Sequence, residues 1–198
     1  MALRRETLNE MYAMESPECC FVETGTGPTA SATLMAIDVG FKKIRTIEFQ
    51  PTLYSENVTR FKDMPHVTVY SGSSAKELYN MCHDIKTDIF FWLDAHYSGG
   101  ITGRAEKICP LIEELEHIKN LSSNTHTICI DDVRDMYNGY MQVSVEEVKA
   151  KLLEINPDYD IRFVRGTEDE PEWAFRGNEV MVATIRDYSS VGDCVKST

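Results

Sequence analysis

Phe90-Phe91-Trp92-Leu93-Asp94-Ala95-His96-Tyr97-Ser98-Gly99-Gly100 carries an apolar run into an aspartate and a histidine and then opens into glycines. Further on, Thr127-Ile128-Cys129-Ile130 runs into Asp131-Asp132 in the same way. Two buried strands that each deliver carboxylates at their C-terminal ends describe an α/β protein, and ligands of such sheets bind at that edge.

The segments on either side alternate between strand and helix. Residues 19–23 read as a short buried strand, followed by the turn Thr24-Gly25-Thr26-Gly27-Pro28-Thr29 and a helix over 30–39 that Gly40 stops. A strand over 44–49 ends near Glu48, and Pro51 opens a helix to about residue 64. Residues 67–70 form a third strand that runs into Ser71-Gly72-Ser73. Ser74-Ala75-Lys76-Glu77 is a capping box that starts a helix to about residue 85. The fourth strand spans 88–93. Leu111, Leu115 and Ile118 then keep helical spacing, and 125–130 is the fifth strand. Ser144-Val145-Glu146-Glu147 is a second capping box, with Val145, Val148, Leu152 and Ile155 on one apolar stripe. Strands over 160–164 and 179–185 close the pattern, joined by a polar stretch (167–178) with no helix. Five βα units and a final strand pair predict a Rossmann-like, seven-stranded, mostly parallel sheet with helices on both faces and an antiparallel last strand.

The 198 residues are expected to form one domain (1–198), with an N-terminal helix over about 6–14 in a cap of residues 1–17, a core over 18–187 and a tail over 188–198. The sequence leaves open whether the cap covers the domain or closes over the site. A hydrophobic share of 42% and a charged share of 26% are those of an ordinary globule. No run suits a membrane span and no signal-peptide core is present, so a cytoplasmic location is expected. The six cysteines lack a CxxC pair and read as reduced core residues, with Cys19 and Cys20 on opposite faces of a strand. A net charge of −12 disfavours a nucleic-acid partner and suits a neutral or cationic small molecule. A homo-oligomer is compatible with this composition.

At the first strand-to-helix turn, Gly25 and Gly27 let the backbone approach a ligand that faces a helix N-terminus. Glu48, about 20 residues on at the end of the next strand, stands where a nucleotide's ribose hydroxyls would be held. Together they predict nucleotide binding.

The order of elements and the Glu23-x-Gly25-x-Gly27 turn resemble the class I S-adenosylmethionine-dependent methyltransferases, over residues of about 18–187. That resemblance implies S-adenosylmethionine as cofactor, contacted by Glu23, Gly25, Gly27, Glu48, Gly72, Ser73 and Asp94. Many relatives carry an acid after the third strand that meets the adenine amine; here Ser73 follows Gly72. Asp94, Asp131 and Asp132 resemble the metal triad of the divalent-metal-dependent O-methyltransferases of the catechol, caffeoyl-CoA, macrocin and rhamnosyl types. Three converging carboxylates suit Mg²⁺ or another divalent cation, which would offset their mutual repulsion. The resemblance implies methyl transfer to a hydroxyl of a small molecule or sugar. Asp94 and His96 are the catalytic candidates, and His96 or a metal-bound water takes the proton. The sugar-methylating relatives tend to have an acid where His96 stands. Residues 97–104, with Gly99, Gly100 and Gly103, have the composition of a lid, and Arg104 and Arg134 could meet an anionic substituent.

Three other classes compete. Asp94-Ala95-His96 resembles the Asp-Ala-His-x-Asp motif of ureohydrolases, but Ser98 breaks it, leaving a metal-dependent hydrolase as the lesser reading. An NAD-dependent oxidoreductase would use Gly25, Gly27 and Glu48 and give the aspartates no role. A methyltransferase-like domain without catalysis, serving binding or assembly, is compatible with Thr29 and Ser73.

Overall fold

The computed structural model describes residues 4–96, 108–164, 180–191 and 194–196. In chain order these form α1 (Arg5–Tyr12), β1 (Cys20–Thr24), α2 (Ser31–Val39), β2 (Ile44–Glu48), α3 (Pro51–Phe61), β3 (Val67–Ser71), α4 (Ser74–Cys82) and β4 (Ile89–Leu93). They continue with α5 (Leu111–Lys119), β5 (Thr127–Ile130), α6 (Val133–Tyr137), α7 (Val145–Ile155), β6 (Asp160–Val164), β7 (Val180–Thr184) and β8 (Cys194–Lys196).

One sheet runs in the order β3-β2-β1-β4-β5-β7-β6-β8. The five strands from β3 to β5 are mutually parallel, and β7 slots antiparallel between β5 and β6. The seven expected strands all form. An eighth, of three residues, pairs antiparallel with β6 inside the stretch expected to be a tail. Tyr188 in the same stretch is buried at 0% exposure, so part of this "tail" belongs to the core.

Every residue of β1, β2, β4, β5 and β7 is buried, as expected of strands covered on both faces. Their side chains alternate between two cores. Phe91 and Leu93 join α4, α5 and α7 on one face, while Phe90 and Trp92 join α1 and α2 on the other. Cys20 and Cys19 separate in the same way, and they, Cys82, Cys109 and Cys129 are free thiols. Local signals fix several ends. Gly40 stops α2 at φ 107°, Gln50 and Pro51 start α3, and Ser144 Oγ accepts the Glu147 N–H at 3.1 Å to start α7. The capping box expected at Ser74 does not form. Ser73 is the N-cap and makes no side-chain capping bond, while Ser74 lies inside the helix and is buried.

The N-terminal segment packs away from the acidic edge. Glu15, just after α1, accepts hydrogen bonds from Thr127 Oγ1 (2.6 Å) and Tyr188 OH (2.7 Å) and pairs with Arg186 Nε (2.7 Å). Thr127 begins β5 and Thr184 ends the antiparallel β7, so this cluster sits at the N-terminal edge of the parallel strands. That settles the open question about the cap: α1 covers one face of the sheet. The 167–178 stretch lies outside the described residues.

Candidate functional site

At the C-terminal edge, the tips of β1, β2, β3 and β4 are pinned together by backbone. Gly25 N–H donates to Ile47 O (3.0 Å), Gly72 N–H to Glu48 O (3.0 Å) and Asp94 N–H to Thr24 O (3.1 Å). Gly25 adopts φ 81° and Gly27 φ 65°, a region that glycine enters without steric cost. A Cβ on Gly25 would fall 2.4 Å from the Asp94 carbonyl oxygen, whereas one on Gly27 would meet nothing. Only glycine therefore lets the β1 turn lie against the end of β4. Asn57 Nδ2 and Arg60 Nη2 on α3 brace the turn through the Gly27 and Pro28 carbonyls.

The two glutamates of this half divide the work. Glu48 is buried, and its two oxygens accept N–H bonds from Gly27 and Gln50, each at 2.8 Å. Its carboxylate thus lies at the glycine turn where the sequence placed it. Glu23 points the other way. Thr33 and Thr46 hydroxyls donate to its Oε2 at 2.5 and 2.6 Å, and burial pushes its pKa up to about 7. It ties β1 to α2 and β2 beneath the turn, which is a supporting position. Ser73 follows Gly72 at the head of α4, on the same edge.

The chemical half forms where β4 and β5 end side by side, with Leu93 paired to Ile130 and Asp131 N–H donating to Leu93 O (3.1 Å). Asp94, His96 and Asp132 come together, with one donor atom from each lying within 4.8 Å of the others. His96 Nδ1 is 3.5 Å from Asp94 Oδ1, and His96 Nε2 is 3.2 Å from Asp132 Oδ2. Asp131 stands just behind. It is 2% exposed, and its Oδ1 accepts the Asp132 N–H at 2.9 Å. Asp132 itself takes φ 53°, an uncommon conformation outside glycine that aspartate tolerates. Burial, and then the charges of Asp131 and Asp132, hold the Asp94 carboxyl well above the usual carboxylate range.

The donor set fits a divalent cation. Two carboxylates and an imidazole converge in a partly desolvated, negatively charged place, with a third carboxylate next to them. Beside the expected triad, His96 also stands among the donor atoms, and Asp131 accepts the Asp132 amide while its charge acts on Asp94.

Sequence reasoning missed two neighbours. Glu114 on α5 is 1% exposed, takes hydrogen bonds from Ser74 and Thr24, and keeps Oε1 unpartnered; burial pushes its pKa up to about 7. It lines a small pocket with Asp94, His96 and Asp131. Its place on the Leu111–Leu115–Ile118 stripe was the available signal. The second is α6, whose loop forms a wider concavity beside His96 and Asp132 that also includes Arg134. Residues 97–104, including Arg104, lie outside the described residues. His83, His117 and His126 make structural contacts; His117 Nε2, for example, lies 2.8 Å from Ala75 O.

The strand order and the antiparallel β7 define the Rossmann-like methyltransferase fold. No family model and no curated protein matches the chain. Among solved structures, it is similar to the O-methyltransferase TomG from Streptomyces achromogenes, involved in tomaymycin synthesis and solved in complex with SAM. The identity is 14% and the TM-score 0.57, over 91% of this chain and 78% of that one. It is similar to the N-methyltransferase NodS from Bradyrhizobium japonicum WM9 at 11% identity and TM-score 0.55, over 90% of each chain. A Galdieria sulphuraria structure matches at 14% identity and TM-score 0.52 over 76% of this chain, which spans 58% of that one. At these identities the likeness establishes the fold. No helix among the described residues is long and apolar enough to cross a membrane.

Proposed function

We propose that the protein is an S-adenosylmethionine-dependent methyltransferase that methylates a hydroxyl of a small acceptor, assisted by a divalent cation. The observation that carries this reading is the seating of Gly25 against Asp94, which brings a nucleotide-type turn within one residue of a cation-type donor cluster. Asp94, His96 and Asp132 would hold the ion, with Asp131 fixing Asp132. The donor supplies an electrophilic methyl group, and the ion supplies Lewis acidity toward the acceptor oxygen.

The chain's own residues do the rest. Gly27, with open space where a Cβ would sit, gives the donor close access to backbone, Gly25 seats the turn on β4, and Glu48 is the acid beside its ribose. The site's negative charge favours a cationic sulfonium. With one His96 nitrogen toward the ion, the other would keep its N–H against a carboxylate, Asp94 beside Nδ1 or Asp132 beside Nε2, and the acceptor's proton would leave to water. Holding donor and acceptor together contributes much of the rate.

One observation favours a second reading, a methyltransferase-like module without catalysis: both oxygens of Glu48 are already engaged by backbone N–H groups. Calorimetry with S-adenosylmethionine, with and without Mg²⁺ or Mn²⁺, separates the two. Binding that weakens in Glu48→Ala, with S-adenosylhomocysteine released on adding a hydroxyl acceptor, supports transfer. Absence of any donor binding supports the module.

A further inference from the structure

Glu114 stands on the face of α5 that Leu111, Leu115 and Ile118 pack into the core, and it is as buried as they are. A carboxyl group in such a place costs stability that a leucine would not, so packing alone gives no reason for it. Its partners lie at the tips of the strands. Ser74, buried at the head of α4, and Thr24, buried at the end of β1, both donate their hydroxyls to it. Thr24 Oγ1 in turn accepts the Asp94 N–H at 3.2 Å, beside the 3.1 Å bond from that N–H to Thr24 O. A hydroxyl that donates to one group and accepts from another is held in one orientation. Glu114, Thr24 and the Asp94 main chain thus form a single line of hydrogen bonds.

The other oxygen, Oε1, has no hydrogen-bond partner, although the residue is 1% exposed. Glu114 lines the small pocket that Asp94, His96 and Asp131 also line. The pocket's volume of about 10 Å³ is close to that of one water, and these side chains offer the polar partners a buried water needs.

We infer that Glu114 is a positioning residue of the cation site: through Thr24 it fixes the end of β4 that carries Asp94, and through Oε1 it holds one water behind Asp94 and His96. It touches neither ion nor acceptor and acts on the groups that do. This rests on reading Asp94, His96 and Asp132 as the holders of the ion.

The test follows Mn²⁺ binding by electron paramagnetic resonance in the parent, Glu114→Leu, Glu114→Gln, Thr24→Val and the double variant Thr24→Val/Glu114→Leu, with urea melts to show that each is folded. Glu114→Leu and Thr24→Val should each weaken Mn²⁺ binding by about tenfold, and the double variant should be no worse than Glu114→Leu. Glu114→Gln keeps an oxygen for the two hydroxyls and an amide for the water, and should stay within about twofold of the parent. Unchanged affinity in Glu114→Leu, or single losses that add in the double variant, would overturn the inference. A loss in Glu114→Gln equal to that in Glu114→Leu would also overturn it, by making Glu114 a charge that the ion itself feels. Should Glu114→Leu not fold, weakened binding in Thr24→Val with retention in Glu114→Gln supports the inference, and full binding in Thr24→Val overturns it. A parent that binds no Mn²⁺ would sink the cation reading itself, an outcome separate from any of these.

Discussion

Gly25 and Asp94 meet backbone to backbone, so that a single methyl group on Gly25 would sit 2.4 Å from the Asp94 carbonyl oxygen. Gly25→Ala therefore carries two penalties, a left-handed φ of 81° and a clash with main chain that cannot rotate away. The expected loss is roughly 2–4 kcal/mol of stability, read from denaturant melts. Gly27→Ala, with open space around it, should cost only the strain of its φ, about 1–2 kcal/mol. Equal losses would show that the turn does not rest on β4.

Asp131 and Asp132 are adjacent in sequence but differ in what they face. Asp132→Asn should weaken Mn²⁺ binding, followed by electron paramagnetic resonance, by about 100-fold. Asp131→Asn, which keeps an oxygen for the Asp132 amide, should cost about tenfold or less, as for groups that orient a ligand. The reverse order would return Asp131 to the donor cluster and remove Asp132 from it.

Burial raises the Glu23 pKa from 4.5 to about 7. The folded protein then binds more protons than the unfolded chain between those values. Its contribution is fully present below 4.5 and fades as pH climbs through 7, by about 3 kcal/mol in total. Glu23→Gln keeps an acceptor for Thr33 and Thr46 and cannot titrate. Its stability relative to the parent should rise by about that amount between pH 4 and pH 8, measured by urea denaturation. A parallel pair of curves would mean that Glu23 is ionised in the fold without cost.

His126 moves stability in the opposite direction. Its Nδ1 accepts the Ile89 N–H (3.1 Å), its Nε2 is buried without a hydrogen-bond partner, and burial lowers its pKa from 6.5 to about 4 despite nearby Asp88. The unfolded chain binds the extra proton in this window, so stability is complete above 6.5 and is lost as pH falls toward 4, by about 3 kcal/mol. His126→Asn preserves an acceptor for Ile89 and should flatten that acid-side loss in thermal melts. An unchanged acid limb would assign the loss to other groups.

The alternation of apolar runs with turns was enough to read the sheet and both of its faces, because the parallel strands other than β3 are buried end to end. The glycine turn was equally plain, since its chemistry is local. What escaped was decided by small geometric choices. Nothing in Asp131-Asp132 says which carboxylate turns toward His96; that follows from the left-handed backbone at Asp132. The α6 helix has only five residues and β8 only three, too few to show a period. Ser73 and Ser74 offer the same hydroxyl one residue apart, and the burial of Ser74 against Glu114 shifts the helix start. Glu114 itself was hidden by its type, since a charged residue on an apolar stripe reads as solvent-facing.

Glu15 finds Tyr188 from 173 positions away, and the buried carboxylate has its full set of partners only once Thr127, Arg186 and Tyr188 are all in place. On a ribosome, the parallel strands and the acidic edge can assemble well before that partner emerges, since domains fold as their segments become available. The last stage of folding is then a long-range closure at the far edge of the sheet, and such non-local pairing is slow. A nascent chain stalled short of Tyr188 would carry a nearly finished site and an amino-terminal helix that lacks one of its ties.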